Sequence, residues 1–328
     1  MALISNTKTV YGLGPTAGAR EDLEDTIWDL YPDDTYLLSN LDRVKVSSTF
    51  HEWMSDNLAA ATTNAQLDGD DATFSDYTAS TRYGNYTQIF RKTFTVSGSA
   101  EATSYAGRKS EVARQVMKQM RELKNDIEYN AVRNNESSAG GVGTARQMGA
   151  MESWIASTDN SGNGTRTTTS ASCSTAAYAS GVTGAPTDGT TTSAVTEDLF
   201  KATLALAWAD GGDPSTVLVG TAQKLVIGAF AGVATAYNEI KGSARRTVVG
   251  SVDMYVSDVG THSIVLHRHV RASVILCIDP SMWAFGFLRS PQMTTLAQSG
   301  DGIKRMLIAE GTLICRNPNA SAKIAGCA

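Results

Sequence analysis

The sequence predicts an α+β fold in which one long amphipathic helix packs against mostly antiparallel strands. Three patterns carry that expectation. Residues Tyr83 to Ser97 are rich in β-branched and aromatic side chains and stop at Gly98, which reads as a strand. From Arg108 the period changes: Val112, Val116, Met120, Leu123, Ile127 and Ala131 recur every three or four residues, one apolar stripe along a helix of about six turns. Further on, Thr216–Val219, Val248–Val256, Ser263–Val270 and Val274–Ile278 read as short strands of a second sheet.

Taken in order, the chain begins with an extended segment and one short helix. Glu21 to Leu30 places Leu23, Ile27 and Leu30 on one face with acidic residues crowding the first turn, where the helix dipole favours them, and Tyr31-Pro32 ends it. Residues 46–82 hold too few large apolar side chains to build a core. They read as a two-stranded excursion with Asp68, Gly69, Asp70 and Asp71 near its tip.

In the long helix no Gly or Pro interrupts Arg108 to Asn134. Glu111 with Arg114, Lys118 with Glu122 and Lys124 with Glu128 form expected surface pairs, each worth about 0.2–0.5 kcal/mol. Residues 137–195 are dominated by Ser, Thr and Gly and predict exposed loop or short surface strands, except Gln147–Ile155, which is apolar enough to pack. Thr196 caps a helix running to Asp210, and Thr221 begins another capped helix. Trp283–Leu288 and Lys304–Arg316 predict a returning pair of strands.

Composition narrows the function classes. Of 328 residues 42% are hydrophobic, enough for a real core. Lys+Arg 28 against Asp+Glu 33 gives a net charge of -5, which argues against a dedicated nucleic-acid binder. Four dispersed cysteines form no CxxC or Cys/His pair and suit a reducing cytoplasm. The N-terminus lacks a secretory pattern, and no apolar run approaches a membrane span.

Two arrangements suggest metal chemistry. His267 and His269, alternate residues of the strand read over Ser263–Val270, face the same side and His262 is near in sequence, so a metal-dependent enzyme using His262, His267 and His269 is the alternative reading from another class. Surface or hydrogen-bonded histidines are the simpler expectation, because no carboxylate or cysteine completes the set. Asp159–Gly164 half matches a calcium loop, but Ser170 stands where a bidentate Glu is required. No GxxxxGK[ST], HExxH or GxSxG occurs, and no cofactor or catalytic residue is expected.

The order of elements, with Trp53–Leu58, Leu67–Ala72, Asn85–Ile89 and the helix to Val132, resembles the major capsid proteins of tailed bacteriophages, the Hong-Kong-ninety-seven-like capsid fold. The resemblance implies an N-terminal arm (1–45), an extended loop (46–92), a peripheral domain with the long "spine" helix (93–140) and an axial α/β domain (141–282). Return strands of the peripheral domain (283–316) and a tail rejoining the axial domain (317–328) complete it.

It implies a shell subunit, not an enzyme, that forms pentamers and hexamers of an icosahedral head assembled in the host cytoplasm. Expected partners are a separate scaffold protein, a cement protein, a portal at one vertex and packaged double-stranded DNA contacted weakly, with no membrane. Subunit contacts are expected from Trp53, Asp68, Asp70 and Asp71 of the loop and Leu23, Ile27 and Leu30 of the arm, although that arm helix could equally pack on its own domain. Val112, Val116, Met120, Leu123 and Ile127 would form the spine core. An encapsulin-like compartment shell is the alternative of related form.

Overall fold

The computed structural model describes residues 35–56, 58–69, 71, 74, 79–105, 107–155, 157–158, 169–170, 173–174, 194–230 and 253–327. Leu23, Ile27, Leu30, Asp70, the calcium-like loop and Val248–Val252 lie outside them.

Two sheets organise these residues. The first is four-stranded, in the order β1 (Asp42–Lys45), β12 (Trp283–Thr295), β13 (Gly302–Cys315), β4 (Gln88–Ser97). Here β1 runs parallel to β12, and the other neighbours are antiparallel. The second is six-stranded: β5 (Ser157–Thr158), β14 (Ala322–Ala325), β11 (Val274–Ile278), β8 (Thr216–Val219), β10 (Gly260–Leu266), β9 (Met254–Ser257). Its β5/β14 and β8/β10 pairs are parallel and the rest antiparallel. Two separate hairpin-like pairs remain, β2 (Phe50–Ser55) with β3 (Thr81–Tyr86), and β6 (Thr169–Ser170) with β7 (Cys173–Ser174).

The helices are α1 (Tyr36–Asn40), α2 (Gly98–Ala102), α3 (Glu111–Val132), α4 (Met151–Trp154), α5 (Glu197–Ala209) and α6 (Thr221–Gly228). Cap chemistry explains where three of them start. Ser97, Ser110 and Thr196 each accept a backbone N–H from the first turn of α2, α3 and α5. For α6 the expected cap is absent: Gly220 occupies the position, with no side-chain bond.

Strands β8 and β11 are buried along their whole length because both faces of the six-stranded sheet are covered. Their alternate side chains enter two cores. Val217, Val219, Ile275 and Cys277 join Leu199, Phe200 and Leu204 of α5. Leu218, Val274, Leu276 and Ile278 join Leu123, Ile127, Trp154, Trp283 and Phe285 in the other. Burial pushes the Cys277 and Cys327 thiols up to about 12 and Cys315 well above its usual value, so these cysteines are inert packing groups.

Several sequence expectations are corrected. The strand read over Tyr83–Ser97 is two strands, β3 and β4, in different sheets, joined at a buried Thr87. The stripe of α3 is not uniformly core: Leu123, Ile127 and Ala131 are buried, whereas Val112, Val116 and Met120 are only half-buried. Glu128 does not pair with Lys124 on the surface. It is completely buried, accepting from the backbone N–H of Leu37 (2.6 Å) and Leu38 (3.0 Å) at the start of α1. A carboxylate is the better partner there because α1 has no side-chain cap of its own.

Candidate subunit-contact site

The excursion is built on β2 and β3, paired in register from Phe50 opposite Tyr86 to Ser55 opposite Thr81. Phe50 and Tyr86 stack at 4.5 Å between centroids. A Cβ at Gly84 would come within 2.5 Å of Phe50 Cζ, so only glycine lets the phenyl ring lie across the partner strand. Trp53 packs 5.5 Å from Trp154 of its own chain. That contact fixes the base of the excursion to α4.

Below the paired strands the backbone is held by two buried polar groups. The Asn85 side chain donates to Leu313 O (2.7 Å) and Gly149 O (3.1 Å) and accepts from Gly149 N (2.8 Å) and Ser137 Oγ (3.0 Å). One amide therefore ties β3 to β13 and to the segments on either side of residue 140. Glu310 of β13 is the second group. Its carboxylate accepts from Thr87 Oγ1 (2.8 Å), Arg146 Nη2 (2.6 Å) and Arg289 Nε (2.8 Å), and it is 3% exposed. A buried carboxylate with two guanidinium partners is satisfied on both oxygens, so the join between β3 and β4 is rigid.

Past Ser55 the chain leaves this root. The described residues 58–69, 71 and 74 are all exposed and carry neither helix nor strand; Asp68 and Asp71 are among them, next to a turn where Gly69 has φ 83°. Leu58, Leu67 and Phe74 are 99%, 80% and 98% exposed. Three large apolar side chains on one segment therefore lie mostly in water, the kind of exposure that makes the segment a candidate contact surface.

The histidine set does not converge. His267 and His269 lie past the end of β10, in a turn, so the alternation that would align them is absent. His267 Nδ1 accepts the His269 N–H (3.2 Å), which leaves Nε2 as the protonated nitrogen donating to Glu128 (2.9 Å). His262 is buried between Pro214 O (2.6 Å) and Ser257 Oγ (2.7 Å). Among the described residues no three His, Cys, Asp or Glu side chains are placed to hold a metal ion.

Sequence reasoning missed Asn85, Glu128, Arg146, Arg289 and Glu310. A signal existed for one of them: Glu310 is the single charged residue in the run Met306–Cys315.

The SU10 major capsid protein family model matches residues 3–328. The chain belongs to that family. It is 26% identical over 323 residues to the major capsid protein of Escherichia phage Phieco32, covering 89% of this chain and 90% of that one. Among solved structures it is similar to the Cyanophage A-1(L) capsid asymmetric unit, with TM-score 0.64, 13% identity and coverage of 96% and 99%. It is also similar to the capsid of the native GTA particle, with TM-score 0.62, 10% identity and coverage of 99% and 100%. The fold is the Hong-Kong-ninety-seven-like capsid fold, and the protein is a structural shell subunit of a tailed phage, a component of the virion. Of the two shell readings the family match selects the phage head.

Proposed function

We propose that the excursion between β2 and β3 is the extended loop by which each capsid subunit grips its neighbour in pentamers and hexamers of an icosahedral head. The observation that carries this is the exposure of Leu58, Leu67 and Phe74 on a segment rooted in a rigid buried network. Covering apolar surface stabilises an interface by about 25 cal/mol per Å2, and symmetry repeats each gain around the shell. In this reading the four-stranded sheet with α3 is the peripheral domain and the six-stranded sheet with α5 and α6 is the axial domain. Asp68 and Asp71 rim the contact, while Trp53 serves the loop's own base.

Assembly in the host cytoplasm with a separate scaffold protein, a portal at one vertex and a cement protein belongs to the same proposal. The net charge of -5 suits a wall that contacts packaged DNA weakly. Sedimentation and electron microscopy of the protein co-expressed with its scaffold test it. Large shells are expected; a stable species of one or two subunits under all conditions would reject the assembly reading.

The shell is expected to be held without covalent links. An isopeptide bond from the loop needs a lysine amine held against a neighbour's amide. Residues 46–91 contain no lysine. Lys92, at the base, is engaged with Asp126 at 2.8 Å. Mature particles boiled in detergent and reductant should give a single band near 34.7 kDa, and a ladder would contradict the expectation.

Acid should loosen the spine at its start. Glu101 accepts from Ser110 Oγ (2.6 Å) and from the Glu111 and Val112 N–H groups (3.0 and 3.1 Å), and these hydrogen bonds lower its pKa, the Ser110 bond most. A lowered folded pKa means the contribution is complete above the ordinary glutamate value and is lost as pH falls through the lowered one. Hydrogen exchange at Glu111 and Val112 should therefore show protection falling only below about pH 4, once intrinsic exchange rates are corrected for pH. Unchanged protection down to pH 2 would show that the cap does not depend on that charge.

A further inference from the structure

We propose that a basic groove on the N-terminal half of α3 is the seat of this chain's own acidic segment, residues 21–30. The groove, of about 360 Å3, is lined by Arg108, Lys109, Arg114, Met117, Lys118 and Arg121. Carboxylates answer part of this charge: Arg108 meets Glu111 at 2.5 Å, Arg114 meets it at 3.8 Å and Lys118 meets Glu122 at 3.9 Å. Five cations against Glu111 and Glu122 among residues 107–122 still leave an excess of three positive charges in a protein of net charge -5. Met117, in the middle of the row, is 63% exposed. A bare phosphate backbone would leave that thioether uncovered; a peptide carrying both acids and apolar side chains would match both features.

Residues 21–30 have that chemistry. Glu21, Asp22, Glu24, Asp25 and Asp29 supply five negative charges without a single cation, and Leu23, Ile27 and Leu30 recur at helical spacing. Their tether puts them within reach. The chain enters the described fold at Thr35, and α1 immediately after it is fastened to α3 by Glu128, which accepts the Leu37 and Leu38 N–H groups.

Arg121, Met117 and Arg114 lie 7, 11 and 14 residues before Glu128, close to two, three and four whole turns, so they continue the face that receives α1. At 1.5 Å per residue they stand about 10 to 21 Å from Glu128 along the axis. The five residues from Leu30 to Thr35 span up to about 17 Å when extended, and a helix over 21–30 would cover about 15 Å. The acidic segment can therefore lie along the cationic row of the same subunit, and the half-buried Val116 and Met120 beside it gain the cover they lack. This seat does not depend on how subunits join.

Cleavage by a glutamate-specific protease after Glu21 and Glu24 of the purified full-length protein reads the contact. Arg114→Glu with Arg121→Glu is expected to speed cleavage at least tenfold at unchanged melting temperature, and adding Asp22→Lys with Asp25→Lys should restore protection. Asp25→Cys with Met117→Cys, in a Cys173→Ser background, should oxidise to a link within one chain. Three results overturn the proposal. Cleavage could be indifferent to the charge reversals. The cysteines could link different chains, which assigns the groove to a neighbouring copy's arm. Or the reversals could abolish binding of a short DNA duplex while leaving cleavage unchanged, which assigns it to phosphate.

Discussion

Ile127→Asp is expected to leave no folded subunit. Ile127 and Leu123 are each 1% exposed and sit where α3 meets the core shared with Trp154, Leu276, Trp283 and Phe285. A carboxylate placed there has no partner, and its desolvation costs several kcal/mol, comparable to the whole stability of a domain, about 5–15 kcal/mol. Met120→Asp, about two turns nearer the N-terminus, should behave differently. Met120 is half-buried, so the charge reaches water and the loss should stay near 1–2 kcal/mol with the fold retained. Circular dichroism and soluble yield of the two variants decide the matter. Equal failure of both would mean that the N-terminal half of α3 is as deeply covered as the C-terminal half.

Glu310→Ala carries the second large effect. The substitution strands Arg146 and Arg289, 28% and 41% exposed at the side chain, around a space that no longer holds a charge. Losing one member of a buried ion cluster typically costs about 3–5 kcal/mol; the partial exposure of both guanidiniums moves the expectation to the low end, about 3 kcal/mol. Urea denaturation of disassembled subunits would show it as a lowered midpoint. In the Glu310→Ala background, Arg289→Ala should cost much less than in the wild type, because its partner is already gone. An additive pair would mean that the cluster does not hold the loop root. Since Thr87 Oγ1 donates to the same carboxylate, the variant should also assemble poorly at a urea concentration the wild type tolerates.

Much of this molecule follows from local pattern. The stripe from Val112 to Ala131 dictates one long helix because a period near 3.6 can bury its apolar side chains only in that conformation. Thr196 marks a helix start, since a hydroxyl at that position answers an N–H that no turn can. Continuous apolarity made β8 and β11 legible as strands covered on both faces. The motifs of the capsid family were likewise readable along the chain, and the family match agrees with them.

What the sequence could not determine is which polar residues are buried and where a helix stops being core. Glu128 has the spacing of a surface partner for Lys124, yet it is enclosed because α1, 90 residues earlier, brings two unsatisfied N–H groups to it. Thr87 sits inside a run that reads as one strand, but Glu310, 223 residues later, fixes its hydroxyl at the break between two sheets. The histidines at 267 and 269 would share a strand face by spacing alone; a turn places one in the core against Glu128 and leaves the other at its edge. Periodicity reports the face a residue presents, and only the tertiary structure supplies the charge or donor that meets it there.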